Sequence, residues 1–248
     1  MLGGSRPGAS RDRPNSIEEP DVERHFHHDL HQLQDRLSDM AGRAETALSK
    51  AMEALKTRDT ALARDVMTED LEIDRIELEV ERRCLDFLGL QQPVARDLRF
   101  LVASIRVSNF LERVGDHAVN IAQSAIKLSA MPPWKGPEDL ATMGDRTIAM
   151  LRDAVSAWLN HDAPLAKRVC ENDAEVDTLK TQIFARFSSL MVHEPEIVPR
   201  ALEMVLASRN LERVADLATN IAEEAIFVTE ARVIKHHADE IRDATLGS

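Results

Sequence analysis

The sequence predicts an all-α protein: six long helices arranged as two tandem, pseudo-symmetric three-helix bundles. Three observations predict it. Runs of Ala, Leu, Glu, Arg and Met dominate, Tyr is absent, and Gly and Pro sit mostly in clusters, which is the composition of long helices. Apolar residues recur in steps of three and four rather than two. A short acidic segment also occurs twice, first as Leu111-Glu112-Arg113-Val114-Gly115-Asp116-His117-Ala118-Val119-Asn120-Ile121-Ala122. It returns as Leu211-Glu212-Arg213-Val214-Ala215-Asp216-Leu217-Ala218-Thr219-Asn220-Ile221-Ala222.

Residues 1–20 are rich in Gly, Ser, Pro and Arg without periodicity and are expected to form a flexible tail. The first three-helix bundle is expected over 21–131. Leu30, Leu33, Leu37, Met40, Ala44, Ala47, Ala51 and Ala54 form one apolar seam along its first helix. Asp59 is placed to cap a second helix, which runs through Val66, Ile73, Val80 and Phe87 to a stop at Gly89. Pro93 opens a third helix reaching about Ala130. Met131-Pro132-Pro133-Trp134-Lys135-Gly136-Pro137 then breaks the pattern and marks the boundary between halves.

The second bundle is expected over 138–237. Leu140, Met143, Thr147, Met150, Ala154 and Ala157 repeat Leu37, Met40, Ala44, Ala47, Ala51 and Ala54 at an offset of 103 (140 − 37). The same offset carries Asp59 to Asp162, Asp70 to Asp173 and Asp74 to Asp177. After Pro195 the offset is 100 (212 − 112), which a three-residue deletion between the second and third helices of this half explains. The last helix is expected to extend or fray from Val228 to about His237, with a flexible tail over 238–248.

Charge narrows the function. The net charge of −12 disfavours nucleic-acid binding, which needs a basic surface, and suits a protein that holds cations. No apolar run approaches the ~20 residues required to span a bilayer. The opening Met1-Leu2-Gly3-Gly4-Ser5-Arg6-Pro7-Gly8 has no apolar signal core, so the expected location is the cytoplasm. Cys84 and Cys170 fall inside helical patterns without a partner at ligand spacing and read as buried thiols.

The candidate chemistry lies in paired carboxylates. Glu112 and Asp116, and again Glu212 and Asp216, stand four residues apart, so each pair shares one helical stripe. Like charges at that spacing repel by a few tenths of a kcal/mol, and a bound cation reverses the sign. The second helix of each half carries a further pair, Asp70 with Asp74 and Asp173 with Asp177. Small residues Ser104, Ser108, Gly115 and Ala122 would let the helices approach there. If the second and third helices pack antiparallel, Asp70, Asp74, Glu112 and Asp116 could converge, as could Asp173, Asp177, Glu212 and Asp216. Oxygen donors suit Mg²⁺, Ca²⁺, Mn²⁺ or oxidised iron better than structural zinc. An ordinary solvated face explains any single pair as well, with Arg113 bonded to Asp116 and Arg213 to Asp216; the repetition is what favours metal. Asn120 and Asn220 are placed either to bond a ligating carboxylate or simply to pack. His25, His27, His28 and His31 near the first helix start, and His236 with His237, read as polar helix ends. His117 becomes Leu217 in the second copy, which argues against a required ligand.

Pro93-Val94-Ala95-Arg96-Asp97-Leu98-Arg99, followed by the segment from Leu111 to Ala122, resembles the PhoU family of phosphate-uptake regulators. The resemblance covers roughly residues 24–237; the second copy departs from it at Ala215, Leu217 and Ile197-Val198-Pro199-Arg200. It implies a cytoplasmic, non-enzymatic regulator, often a homodimer, bridging the ATPase subunit of a phosphate ABC transporter and a sensor histidine kinase. With phosphate plentiful, such a protein holds the kinase in its inhibitory state and restrains uptake. It also implies metal at Asp70, Asp74, Glu112 and Asp116, and at Asp173, Asp177, Glu212 and Asp216, as iron, zinc, manganese or magnesium and in some members as multinuclear clusters. Membrane association would come only through partners. The competing expectation is a carboxylate-metal enzyme, either a ferritin-like oxidase or a metal-dependent phosphatase. No Glu here has a His three residues later, which argues against the ferritin-like di-iron pattern.

Overall fold

The computed structural model describes residues 21–90, 93–133 and 139–232, with side chains from residue 28 onward. The expected tails at 1–20 and 238–248 lie outside the described residues, as do 233–237 and the side chains of His25 and His27. Six α-helices follow in order: α1 (Asp21–Thr57), α2 (Thr60–Leu90), α3 (Ala95–Ser129), α4 (Asp139–Asn160), α5 (Ala163–His193) and α6 (Val198–Glu230). A single 3₁₀ turn, Pro195–Ile197, leads into α6, and no strand occurs among the described residues.

The helix ends repeat as the sequence does. Asp59 Oδ1 accepts the backbone N–H groups of Ala61 (2.9 Å) and Leu62 (3.1 Å), and Asp162 Oδ1 accepts that of Leu165 (2.9 Å). Capping of this kind contributes about 1 kcal/mol per helix. One residue earlier, Arg58 (φ 62°) and His161 (φ 54°) both take the left-handed conformation, again 103 positions apart (161 − 58). That conformation is costly for a residue with a Cβ, and each is held by contacts across the fold. The Arg58 guanidinium donates to the carbonyls of Leu128 and Met131 at the end of α3. The His161 ring meets Phe100 edge-on at 6.5 Å, while Phe100 stacks on Trp158 at 5.4 Å.

Three helix limits differ from expectation. α2 runs through Gly89, which keeps a negative φ, to Leu90. α3 starts at Ala95 rather than Pro93, because Val94 is extended (ψ 165°). α6 stops at Glu230, where Ala231 turns left-handed (φ 54°) and its N–H bonds the Phe227 carbonyl at 3.1 Å. The expected deletion does not fall in the loop: four residues join α2 to α3 (91–94) and four join α5 to α6 (194–197), and the three missing residues come from the start of α6, which begins 14 positions before Glu212 where α3 begins 17 before Glu112.

The two repeats share one core. Leu37, Met40, Ala44, Ala47, Ala51 and Ala54 are buried, and so are Leu140, Met143, Thr147, Met150, Ala154 and Ala157. α3 packs on α2 and α1 within its own half and on α6 across the pseudo-symmetry, so it is buried on two sides. α1 also meets α4, where Met52 fills the space that a side chain at Gly144 would take. Polar ties join the halves: Arg106 to Glu224 at 2.9 Å, Lys127 to Glu203 at 3.2 Å, and His117 Nδ1 to Asn210 Oδ1 at 2.9 Å. His117 therefore serves the junction between halves. Cys84 and Cys170 are free and buried, and burial pushes their thiols up to about 12 and about 11.

Candidate metal centre

α2 and α3 pack side by side, and their facing edges carry the first set of carboxylates. The two helices come close at Asp70 and Gly115. A Cβ on residue 115 would collide with Asp70 Oδ1 and crowd Ile73 Cδ1 at 3.2 Å. Asp70 Oδ1 is buried and has no hydrogen-bond partner. Burial, then the charges of Asp74 and Asp116, push the Asp70 carboxyl up to about 6. Burial likewise raises Glu112 to about 7, followed by the charges of Asp116, Glu77, Asp74 and Asp70. The four expected residues thus lie in one another's electrostatic field. Asp70, Asp74 and Glu112 are partly buried and Asp116 is exposed.

A shared field is not a shared point. Among the described residues no three His, Cys, Asp or Glu side chains are arranged to hold a metal ion. Like-charge repulsion gives the physical reason, since carboxylates lacking a cation or a hydrogen-bond donor between them spread apart. Arg113 makes no ion pair among the described residues, so the alternative in which it neutralises Asp116 does not occur here. Asn120 is exposed and Asn220 partly buried.

The second set is built differently. Residue 180 is the repeat equivalent of Glu77 (77 + 103) and is a lysine. Lys180 Nζ bonds Glu212 Oε1 at 2.6 Å. Arg213 donates to Asp216 at 3.2 Å, the ion pair that Arg113 fails to make in the first half. Asp173, the equivalent of Asp70, is buried, and Ala215 stands where Gly115 leaves room. Asp216 is still raised, mainly by burial and then by Glu212, although Arg213 opposes the shift; Asp177 is exposed. The second acidic row therefore carries its own cations, and among the described residues the first does not.

Residues that the eightfold pattern missed decide this difference. Glu77 adds a fifth negative charge to the first row and Lys180 cancels one in the second. Comparing the repeats position by position at the 103 offset exposes both. Glu77 and Glu81 also line a groove beside the row with Ile105, Arg106, Ser108, Asn109 and Phe110. The guanidinium of Arg106 is engaged by Glu224 across the halves.

The donor set fits a hard cation. It is all carboxylate oxygen, and it includes a buried oxygen without a hydrogen-bond partner, for which Gly115 makes room. The remaining expected groups stay peripheral: His28 contacts Gln32 at 2.9 Å, and His31 is exposed.

The PhoU domain matches twice, over residues 37–125 and 140–225. The chain belongs to the PhoU family. Among PhoU proteins, it is 36% identical over 208 residues to the phosphate-specific transport system accessory protein PhoU homolog of Aquifex aeolicus, covering 84% of this chain and 94% of that protein. Identity to the Zymomonas mobilis homolog is 33% over 84% of this chain and 87% of that one. The crystal structure of PhoU from Pseudomonas aeruginosa superposes with a TM-score of 0.81 at 30% identity, covering 84% of this chain and all of that one (100%). The phosphate transport system regulatory protein PhoU from Streptococcus pneumoniae gives 0.79 at 27% identity, covering 85% of this chain and 99% of that one. Both PhoU matches contain the acidic pairs of their own half.

Proposed function

We propose that this protein is an accessory regulator of phosphate transport: a cytoplasmic, metal-binding adaptor, without catalytic activity, between the ATPase subunit of a phosphate ABC transporter and a sensor histidine kinase. In this reading it restrains the phosphate-starvation response when phosphate is plentiful, and it acts as a homodimer. The observation that carries it is the double PhoU domain match, with relatives named as phosphate-specific transport accessory proteins over most of their length. No described helix is long and apolar enough to cross a membrane, which fits membrane association through partners.

Asp70, Asp74, Glu112 and Asp116 would hold the principal cation or cation cluster, with Asp173, Asp177, Glu212 and Asp216 forming the weaker second site. The charge balance supports that order. Within one chain and among the described residues, the first row has no cationic neighbour in contact, whereas Lys180 and Arg213 already occupy the second. A bound ion would supply positive charge that draws the α2 and α3 edges together and fixes their relative position. Asp70 would be the anchor, because its buried oxygen lacks any other partner.

Deleting the gene tests the regulatory reading. A phosphate-starvation reporter should stay on in rich phosphate, and normal repression in the deletion strain would refute the assignment. Metal is tested separately: replacing Asp116 and Asp216 with Ala should lower bound metal, and unchanged elemental content would defeat that part alone.

A further inference from the structure

Three leucines stand exposed on the outer face of α2, away from the core: Leu71 (68% exposed), Leu78 (63%) and Leu85 (55%), with Met67 (38%) one turn before them. They are seven residues apart, so they form a single stripe along the helix, as in a coiled-coil seam. The positions three and four after the first two leucines repeat as well. Leu71 is followed by Asp74 and Arg75, and Leu78 by Glu81 and Arg82. Asp74 and Glu81 thus line one side of the stripe, and Arg75 and Arg82 the other, where Arg75 also bonds Glu72 at 2.7 Å.

The fold itself does not call for these leucines. The repeat equivalents on α5 are Ala174, Thr181 and Ser188 (71, 78 and 85, each + 103), and α5 packs in its half as α2 does in its own. Burial of apolar surface is the main gain available to exposed leucines, and contiguous exposed apolar surface marks contact sites. The flanking charges select the occupant. In a parallel helix pair the basic side of one stripe faces the acidic side of the other, whereas an antiparallel pair would set like against like. A surface that complements itself in this way fits a second copy of the same chain.

We propose that the Leu71–Leu78–Leu85 stripe of α2 is the interface between two copies of this protein, paired with their α2 helices parallel about a two-fold axis along the helices. The pairing sets Arg75 and Arg82 of each copy toward the acidic side of the other, beside the first carboxylate row. This deepens the homodimer assigned above, and its test separates the surface from dimerisation itself.

The full chain, with chelator present to exclude metal bridging, should sediment at twice its 27.7 kDa mass. Leu78→Asp should return it to the monomer mass with an unchanged helical circular dichroism spectrum, because the side chain is exposed. Thr181→Asp, at the equivalent place on α5, should leave the dimer intact. Leu71→Cys and Leu85→Cys should each form a symmetric disulfide on mild oxidation, since parallel pairing sets each position opposite itself. A dimer that survives Leu78→Asp would overturn this surface and leave dimerisation standing; a monomeric parent would overturn both. Disulfides formed only when the two cysteine variants are mixed would show antiparallel pairing and overturn the charge argument.

Discussion

Asp70 Oδ1 lies in the space that a Cβ on Gly115 would fill, so the glycine lets this carboxylate pack against α3. The second repeat has Ala215 at that position and pairs Glu212 with Lys180. Two halves built on the same helical pattern therefore present different electrostatics along matching edges. The difference lies in four positions, 77, 115, 180 and 215, none of which belongs to the eight acids that define the repeat.

Gly115→Ala tests that packing. Alanine gains up to ~1 kcal/mol in helix propensity, while a clash in a packed interface costs ~1–3 kcal/mol. The clash wins, because Asp70 and Ile73 both crowd the new methyl. Denaturant unfolding should show a net loss of about 1 kcal/mol, and calorimetric titration with Mn²⁺ should show weaker binding. Equal stability and affinity would mean that Asp70 moves aside freely.

Stability should depend on pH with a definite sign. Asp70 and Glu112 titrate at about 6 and about 7 in the fold, above the 3.8 and 4.5 of their unconstrained forms. A raised carboxyl binds its proton more tightly when folded, so its contribution is complete below pH ~4 and is lost as pH rises to ~7. Solvent screening of these part-exposed groups limits the loss to about 1 kcal/mol each. The metal-free protein should therefore melt lower at pH 8 than at pH 5.5, and Asp70→Asn should flatten the dependence. Apparent metal affinity should rise across the same interval, as protons stop competing.

Lys180→Glu should convert the second acidic row toward the first. The variant removes a 2.6 Å ion pair to a largely buried Glu212, and about 1–2 kcal/mol of stability should go with it in the absence of metal. Bound metal per chain should increase, by elemental analysis after reconstitution. Unchanged stoichiometry would show that the lysine does not govern the site.

Heating should give a single cooperative transition despite the two repeats, because α3 and α6 are buried against each other through the middle of the molecule. Arg106→Ala should lower the midpoint without splitting the transition. It leaves Glu224, already raised by burial and only 12% exposed, without its cation, at a cost of about 1–2 kcal/mol. Two resolved transitions by calorimetry would contradict a common core.

Much of this architecture was legible in the order of residues. Steps of three and four in Leu37, Met40 and Ala44 can bury only one face of a helix, and the 103-residue echo at Leu140, Met143 and Thr147 requires the same arrangement twice. Asp59 and Asp162 announce helix starts because a cap needs only local geometry. The eight acids were legible as two rows for the same reason: spacing along one helix sets which residues share a stripe. Tertiary structure alone decided how the halves join, since a helical seam does not name its partner; α3 meeting α6 and His117 reaching Asn210 are contacts between residues about a hundred positions apart. It also decided which acidic row is compensated. Charge balance depends on what a neighbouring helix brings within a few ångströms, and only packing α5 against α6 sets Lys180 on Glu212, while packing α2 against α3 leaves Asp70 Oδ1 buried over Gly115 without a hydrogen-bond partner.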